Sequence, residues 1–456
     1  MPISRVLSVN RGEIAARVVK AAHALGIEAV QAVSVADRDS RAAQLADRTV
    51  VIGPAPSRSS YLDANLLVHT AVQTGCDALH PGYGFLSERE HLARLCAEHG
   101  ITFIGPAPET IAALGDKLQA KAIARAANVP LVPGTDRIAS AEDAVRAGDE
   151  LGYPVLIKAS AGGGGRGMFI ARGAEDIRNG FDKASNEAKE AFGDGTMYME
   201  RYVENARHVE VQVFGDGTGK VLHFGERDCS IQRRYQKVFE EAPCAAMPDT
   251  LRRTLHDSAV NLVASLKYRN AGTVEFLYDV DRQAIYFIEV NARIQVEHPV
   301  SEQVTSVDLV QLQFRIAGGE TLRWEQVQIP VQRHAIECRL NAEDPTRNFQ
   351  PSPGRITRWA PPQGAGIRLD SHCYDGYLVP PFYDSMIGKL IITAANRAEC
   401  VTRLQGALAR FAVEGLTTNL PLLKFIAAHP DFIDNRLNTR WLEQTLLPAF
   451  EAQTAT

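Results

Sequence analysis

The sequence predicts a multidomain protein of mixed α/β and α+β class, and three observations carry that reading. At 456 residues the chain exceeds what one hydrophobic core serves, so two to three domains of ~100–200 residues each are expected. The first ~115 residues alternate strand-like with helix-like segments, the pattern of a doubly wound α/β domain. Further along, two apolar runs flank a short polar interruption and predict a hairpin.

Taken in order, Val6–Val9 reads as a strand, Glu13–Leu25 carries apolar residues at helical spacing, Gly26 supplies a C-cap, and Ala29–Val33 reads as the next strand. The first turn, Asn10-Arg11-Gly12-Glu13, lacks the glycine fingerprint of a dinucleotide site. Ala78–Phe85 reads as a strand ending in a Gly/Pro turn, where functional loops of such sheets lie and where Tyr83 is either a site residue or a packed aromatic. A second region, 116–330, starts near Lys117, contains a glycine-rich part over 131–203, and holds the strand pair Thr273–Tyr278 and Ala284–Val290, interrupted at Asp281-Arg282-Gln283. The third region, 331–450, has a strand over Ile336–Asn341, a Pro-rich stretch over Pro351–Pro362 and helical patterns; 451–456 reads as a frayed tail.

Composition narrows the function. With 45% hydrophobic and 23% charged residues and a mean hydropathy of -0.14, the chain is globular in character. No apolar run approaches the ~20 residues that span a bilayer, and the N-terminus shows no signal-peptide pattern, so a cytoplasmic protein is expected. A formal charge of -5 gives no basic field for nucleic acid or anionic lipid. The seven cysteines stand singly, without zinc spacing, and read as reduced packing residues.

Three segments carry chemistry. After the strand Pro154–Lys158 come Gly162–Gly165, Arg166, Gly167 and Met168. Successive glycines let backbone N–H groups close over phosphate oxygens, and Lys158 and Arg166 add cations. A flexible surface loop would also be glycine-rich, but the flanking cations favour phosphate. No P-loop pattern occurs in the sequence. On the predicted hairpin, Glu275, Glu289 and Asn291 offer hard oxygen ligands suited to Mg²⁺ on nucleotide phosphates.

From Glu289 to Glu297 polar residues (Glu289, Asn291, Arg293, Gln295, Glu297) alternate with Val290, Ala292, Ile294 and Val296. A half-buried strand with a polar outer face gives the same alternation. Here, however, every polar position holds a chemically competent group: Arg293 a donor fork for an oxyanion, Gln295 a neutral donor, Glu297 a proton acceptor. Fully extended, the run would separate its end carboxylates by about 26 Å, too far for one reaction centre. A single site therefore requires a bend between Asn291 and Gln295.

These segments, together with Asn10–Ala15, His80–Glu88, Glu226–Pro243 and Glu337–Pro345, resemble biotin carboxylases over nearly the whole chain and in the family's order. The resemblance implies an ATP-grasp fold: an N-terminal α/β domain (1–115), an ATP-grasp domain (116–330) with a mobile lid over about 131–203, and a C-terminal domain (331–450). It implies nucleotide contacts at Lys117, Lys158, Gly163, Gly164, Gly165, Met168, Glu200, Arg201, Val203, His208, Gln232, Tyr235 and Leu277. It places Mg²⁺ or Mn²⁺ on Glu275, Glu289 and Asn291, bicarbonate on Lys237, Arg293, Gln295, Val296 and Glu297, and biotin near Tyr83 and Arg339, with Glu297, Arg293, Arg339 and Lys237 catalytic.

The implied chemistry starts with Glu297 deprotonating bicarbonate, which attacks the γ-phosphate to give carboxyphosphate and ADP. Carboxyphosphate releases CO₂, the remaining phosphate takes the ureido proton of biotin, and Arg339 stabilises the enolate-like ring before N1′ attacks CO₂. A closing lid excludes water from the labile intermediate. Three residues depart from the family's pattern: Tyr235 stands where bacterial acetyl-CoA carboxylase subunits have His, Ala161 replaces a glycine, and Ala292 replaces Thr. None of the six methionines flanks a lysine, so biotin is expected on a separate carboxyl carrier protein, with carboxyltransferase subunits as further partners. A homodimer follows from resemblance alone, and so does an acetyl-CoA carboxylase role in fatty acid synthesis; pyruvate, other acyl-CoA and urea carboxylases contain similar modules. Another ATP-grasp ligase, or a nucleotide-binding subunit without catalysis, would need stimulation by an amine or losses among the site residues, respectively.

Overall fold

The computed structural model describes residues 3–159 and 167–454. The chain divides into two compact units: residues 1–129, 207–277 and 288–456 form the first, and 130–206 with 278–287 the second.

The first unit opens with a five-stranded parallel sheet in the order Arg48–Gly53, Glu28–Ser34, Arg5–Ser8, Ala78–His80, Thr102–Phe103. The predicted strand, helix and strand fall within a residue or so of Arg5–Ser8, Gly12–Ala24 and Glu28–Ser34. Gly26, at φ +71°, follows the helix end, in the left-handed conformation that costs glycine nothing. Strand order reverses beside Arg5–Ser8, leaving a crevice at the carboxyl ends of this strand and Ala78–His80, where open α/β sheets place their sites. Asn10 closes it: its amide Nδ2 donates to the carbonyls of Pro81 at 2.7 Å and Tyr83 at 2.8 Å. Gly82 has φ +63°, and a Cβ there would lie 2.9 Å from that same Nδ2.

An antiparallel sheet follows, with strands in the order Ala284–Asn291, Arg269–Asp279, Ala206–Asp216, Val221–Arg233, Gln236–Ala242, His334–Asn341, Met386–Ala394, Ile367–Ser371. The expected hairpin is present, turning at 280–283. The segment Glu226–Pro243, which composition alone leaves compatible with a solvated surface, forms two strands whose acids and cations are largely buried. Along His334–Asn341 the side chains alternate: Ile336, Cys338 and Leu340 enter the apolar core beneath helices Arg397–Arg410 and Leu420–Ala428, while Glu337 and Arg339 take the other face.

In the second unit, strands Met168–Ala171, Val155–Ala159 and Met197–Arg201 form an antiparallel sheet. Val155, Ile157, Met197 and Met199 pack with Ile177 and Phe181 from the helix Ala174–Phe192. All seven cysteines are free and buried. Among the described residues, no helix is long and apolar enough to cross a membrane.

Candidate active site

The strand Ala284–Asn291 stops at Asn291, and Glu297 already caps the helix His298–Thr305. The run therefore bends where a single site requires it. Arg293 spans the bend, donating through Nη2 to Asn291 Oδ1 at 3.1 Å and through Nη1 to Gln295 Oε1 at 2.8 Å. Glu275 Oε1 accepts from Asn291 Nδ2 at 2.8 Å and from Gln295 Nε2 at 3.4 Å. Lys237 links the far end of the run to Glu275, its Nζ lying 2.6 Å from Glu297 and 3.3 Å from Glu275. Gln295 and Glu297 are 4% and 0% exposed, so the polar side of the run faces inward and is no solvated outer face.

Charges around Glu297 are paired tightly. Its second oxygen accepts from Arg339 Nη2 at 3.0 Å, and Arg339 Nε donates to Glu240 at 2.6 Å. Burial pushes the Glu297 carboxyl up, but Lys237, Arg339 and Arg227 more than offset it and hold the group well below the usual carboxylate range. Glu275 is likewise lowered, by Lys237 and His208 against the effect of burial. Lys237 is raised, because its carboxylate neighbours outweigh its burial. At working pH the site thus holds ionised carboxylates and a lysine fixed as a cation.

Several residues of this network escape the motif reading. Arg227, fully buried, donates to Glu210 at 2.5 Å, Gln212 at 2.8 Å, Ser301 at 2.9 Å and Thr273 at 3.1 Å. Glu210 also meets Lys237 at 2.5 Å. The alternation His208-Val-Glu210-Val-Gln212-Val is a signal of the same kind as the one at Glu289–Glu297. Glu88 binds Arg293 Nε at 2.8 Å and the Ala292 amide at 3.0 Å, giving the stretch His80–Glu88 a role beyond Tyr83.

Glu275, Glu289 and Asn291 fit a hard divalent cation by donor type. His208 Nε2 lies 3.0 Å from Glu275. Burial, together with the charge of Glu275, raises the Glu289 carboxyl, while Lys117 lowers it; a bound cation would relieve that repulsion.

Tyr83 reaches the network indirectly. Its hydroxyl donates to Glu13, which pairs with the fully buried Lys389 at 3.0 Å, and Lys389 donates to the Val296 carbonyl at 2.7 Å. Gln232 sits opposite Lys237 in register. Tyr235 occupies the exposed strand-to-strand turn at φ +65°, and Leu277 is half-buried in the strand Arg269–Asp279. In the second unit Lys158 pairs with Glu200 at 2.5 Å, Arg201 donates to the Leu151 carbonyl at 3.0 Å, Val203 is buried, and Met168 lies opposite Lys158. Gly163, Gly164 and Gly165 lie outside the described residues.

A parallel α/β sheet followed by an antiparallel sheet that carries buried acids around a buried lysine is the arrangement of ATP-grasp ligases, and the relatives of the chain bear this out. Residues 2–111 match the biotin carboxylase N-terminal domain family, 116–325 the carbamoyl-phosphate synthase L chain ATP-binding domain family, and 337–444 the biotin carboxylase C-terminal domain family. Biotin carboxylase 1 of Bacillus subtilis is 46% identical over 97% of this chain and 98% of its own. The biotin carboxylase domain of a thermophilic 2-oxoglutarate carboxylase, bound to bicarbonate, superposes with a TM-score of 0.93 at 44% identity, covering 97% of this chain and 98% of that one. The corresponding domain dimer of the Hydrogenobacter thermophilus enzyme, in complex with MgADP, ADP and bicarbonate, gives 0.87 at 46% identity over 97% and 98%. The chain belongs to the biotin carboxylase family and is an ATP-dependent ligase.

Proposed function

We propose that this chain carboxylates biotin on a separate carrier protein through carboxyphosphate, with MgATP and bicarbonate as co-substrates. The observation that supports this most directly is the contact of Glu297 with both Lys237 and Arg339, which brings the residues assigned to bicarbonate and to biotin into one bonded group. Lys237, Arg293 and Gln295 would hold the bicarbonate anion. As that anion draws on Lys237, the grip on Glu297 loosens and its basicity rises, so binding itself activates the base. Arg339 then meets the negative charge that develops on the biotin ring. Glu275, Glu289 and Asn291 would hold Mg²⁺, which supplies charge neutralisation at the transferred phosphate. Lys117, His208, Gln232 and Leu277 of the first unit are assigned to the nucleotide.

The proposed setting is the first half-reaction of an acetyl-CoA carboxylase, in the cytoplasm and as a homodimer. A second reading, the equivalent subunit of a 2-oxoglutarate carboxylase, is favoured by the two structural relatives of that description. Carboxylation of each purified carrier protein distinguishes the two. The main reading is tested by bicarbonate-dependent ADP release with and without free biotin. Stimulation by biotin and formation of carboxybiotin are expected; no stimulation and no carboxybiotin would sink it.

A further inference from the structure

Glu240 and Glu337 are not used by the mechanism above, yet both lie against its centre. They are register partners across the strands Gln236–Ala242 and His334–Asn341, on the face that carries Arg339 and Lys389, themselves register partners. Glu240 is 1% and Glu337 0% exposed. Neither oxygen of Glu337 has a hydrogen-bond partner among the described residues, and Glu240 Oε2 has none either. The nearby cations leave none for Glu337: Lys389 pairs with Glu13 and donates to the Val296 carbonyl, Arg339 pairs with Glu297 and with only one oxygen of Glu240, and Lys237 pairs with Glu210, Glu275 and Glu297. Four carboxyls (Glu13, Glu240, Glu297, Glu337) thus face Arg339 and Lys389 in a dry interior. Two ionised carboxylates side by side under those conditions cost far more than one shared proton.

We propose that Glu240 and Glu337 hold one proton between them, and that this proton leaves Arg339 with enough uncompensated charge to face the anionic biotin ring. The pair acts through Arg339 and so consists of positioning residues. Without the proton, three carboxylates draw on one guanidinium, and its charge is spent before biotin arrives. Titration agrees in direction. Burial pushes the Glu240 carboxyl up to about 7, with Arg339 opposing and Glu297 reinforcing, and burial holds Glu337 well above the usual range despite Lys389. The Cys229 thiol stays neutral because burial and the carboxyls of Glu210, Glu297 and Glu240 raise it, and Cys338, on the opposite face of its strand, is likewise raised, chiefly by burial.

This inference rests on the biotin carboxylase reading, and Glu337→Gln, which fixes the protonated charge state, tests it in the full-length enzyme. Infrared difference spectra of wild type against Glu337→Gln should contain the C=O stretch of a protonated carboxyl at neutral pH, disappearing as pH rises. Over the same interval kcat/KM for free biotin in wild type should fall about tenfold per pH unit. Glu337→Gln should stay flat there, with its KM for ATP within about twofold of wild type. A difference spectrum without that band, or an alkaline limb that persists in Glu337→Gln, overturns the proposal. Should the variant not fold, a wild-type band that titrates out of step with wild-type kcat/KM overturns it equally. Absence of any biotin stimulation in wild type would instead overturn the carboxylation reading, whatever the band shows.

Discussion

Glu297 accepts from Lys237 and Arg339 at once, and the two contacts separate its roles. Glu297→Gln keeps the shape but removes the proposed base, so bicarbonate-dependent ADP release should fall by about 10²–10⁴-fold, measured by coupled ADP assay. A fall of less than tenfold would place the base elsewhere. Arg339→Ala should lower biotin carboxylation by about 10²-fold or more and leave nucleotide affinity, read by calorimetry, close to wild type. Equal losses in both would make Arg339 structural, through its bond to Glu240. Which side chains meet was only partly legible in the sequence. The run Glu289–Glu297 announced itself because alternation and residue chemistry coincide. Arg227, Glu240 and Lys389 did not, because a lone charged residue on an apolar strand reads the same whether it ends in solvent or in a buried ion pair; only the pairing of distant strands decides.

At the scale of elements, the turn Pro81–Phe85 is set by Asn10 and by the positive φ of Gly82. Gly82→Ala should cost about 1–2 kcal/mol from the left-handed backbone alone, and the crowding of its Cβ against Asn10 and Ile14 adds to that. A lowered Tm together with a raised KM for biotin is expected, since Tyr83 rides on this turn; a lowered Tm with biotin KM unchanged would detach Tyr83 from biotin. The first strand, helix and second strand were readable to within a residue or two, since periodicity and glycine caps are local signals, whereas the strand read as Thr273–Tyr278 starts at Arg269 and strands such as Ala206–Asp216 and Met386–Ala394 went unread. The bend after Asn291 was also reachable, but by a distance argument rather than by propensity: no residue between Ala292 and Val296 is a glycine or proline. What stops the strand is tertiary: Glu88 takes the Ala292 amide and the Arg293 side chain.

For the whole molecule, buried acids with depressed pKa values govern stability against acid. Burial raises Glu241, but His334 and Arg397 bring it down to about 2; burial raises Glu226, but His256 and Arg252 also bring it down to about 2. An unfolded glutamate titrates near ~4.3, so each contributes on the order of 3 kcal/mol above that pH, lost as pH falls towards about 2. Tm should therefore drop steeply below about pH 4, and Glu241→Gln should flatten the drop. An unchanged slope would show that other carboxyls dominate.

The buried cysteines have a practical consequence. Cys229 Sγ lies 3.9 Å from Glu297 Oε1, with burial and the adjacent carboxylates keeping its thiol protonated. Alkylation at this position can proceed only as fast as its surroundings open. The wild-type chain thus carries its own clock at the proposed reaction centre: Cys229 labelling rates, followed by peptide mass mapping with and without nucleotide, time the breathing of that centre without an engineered probe.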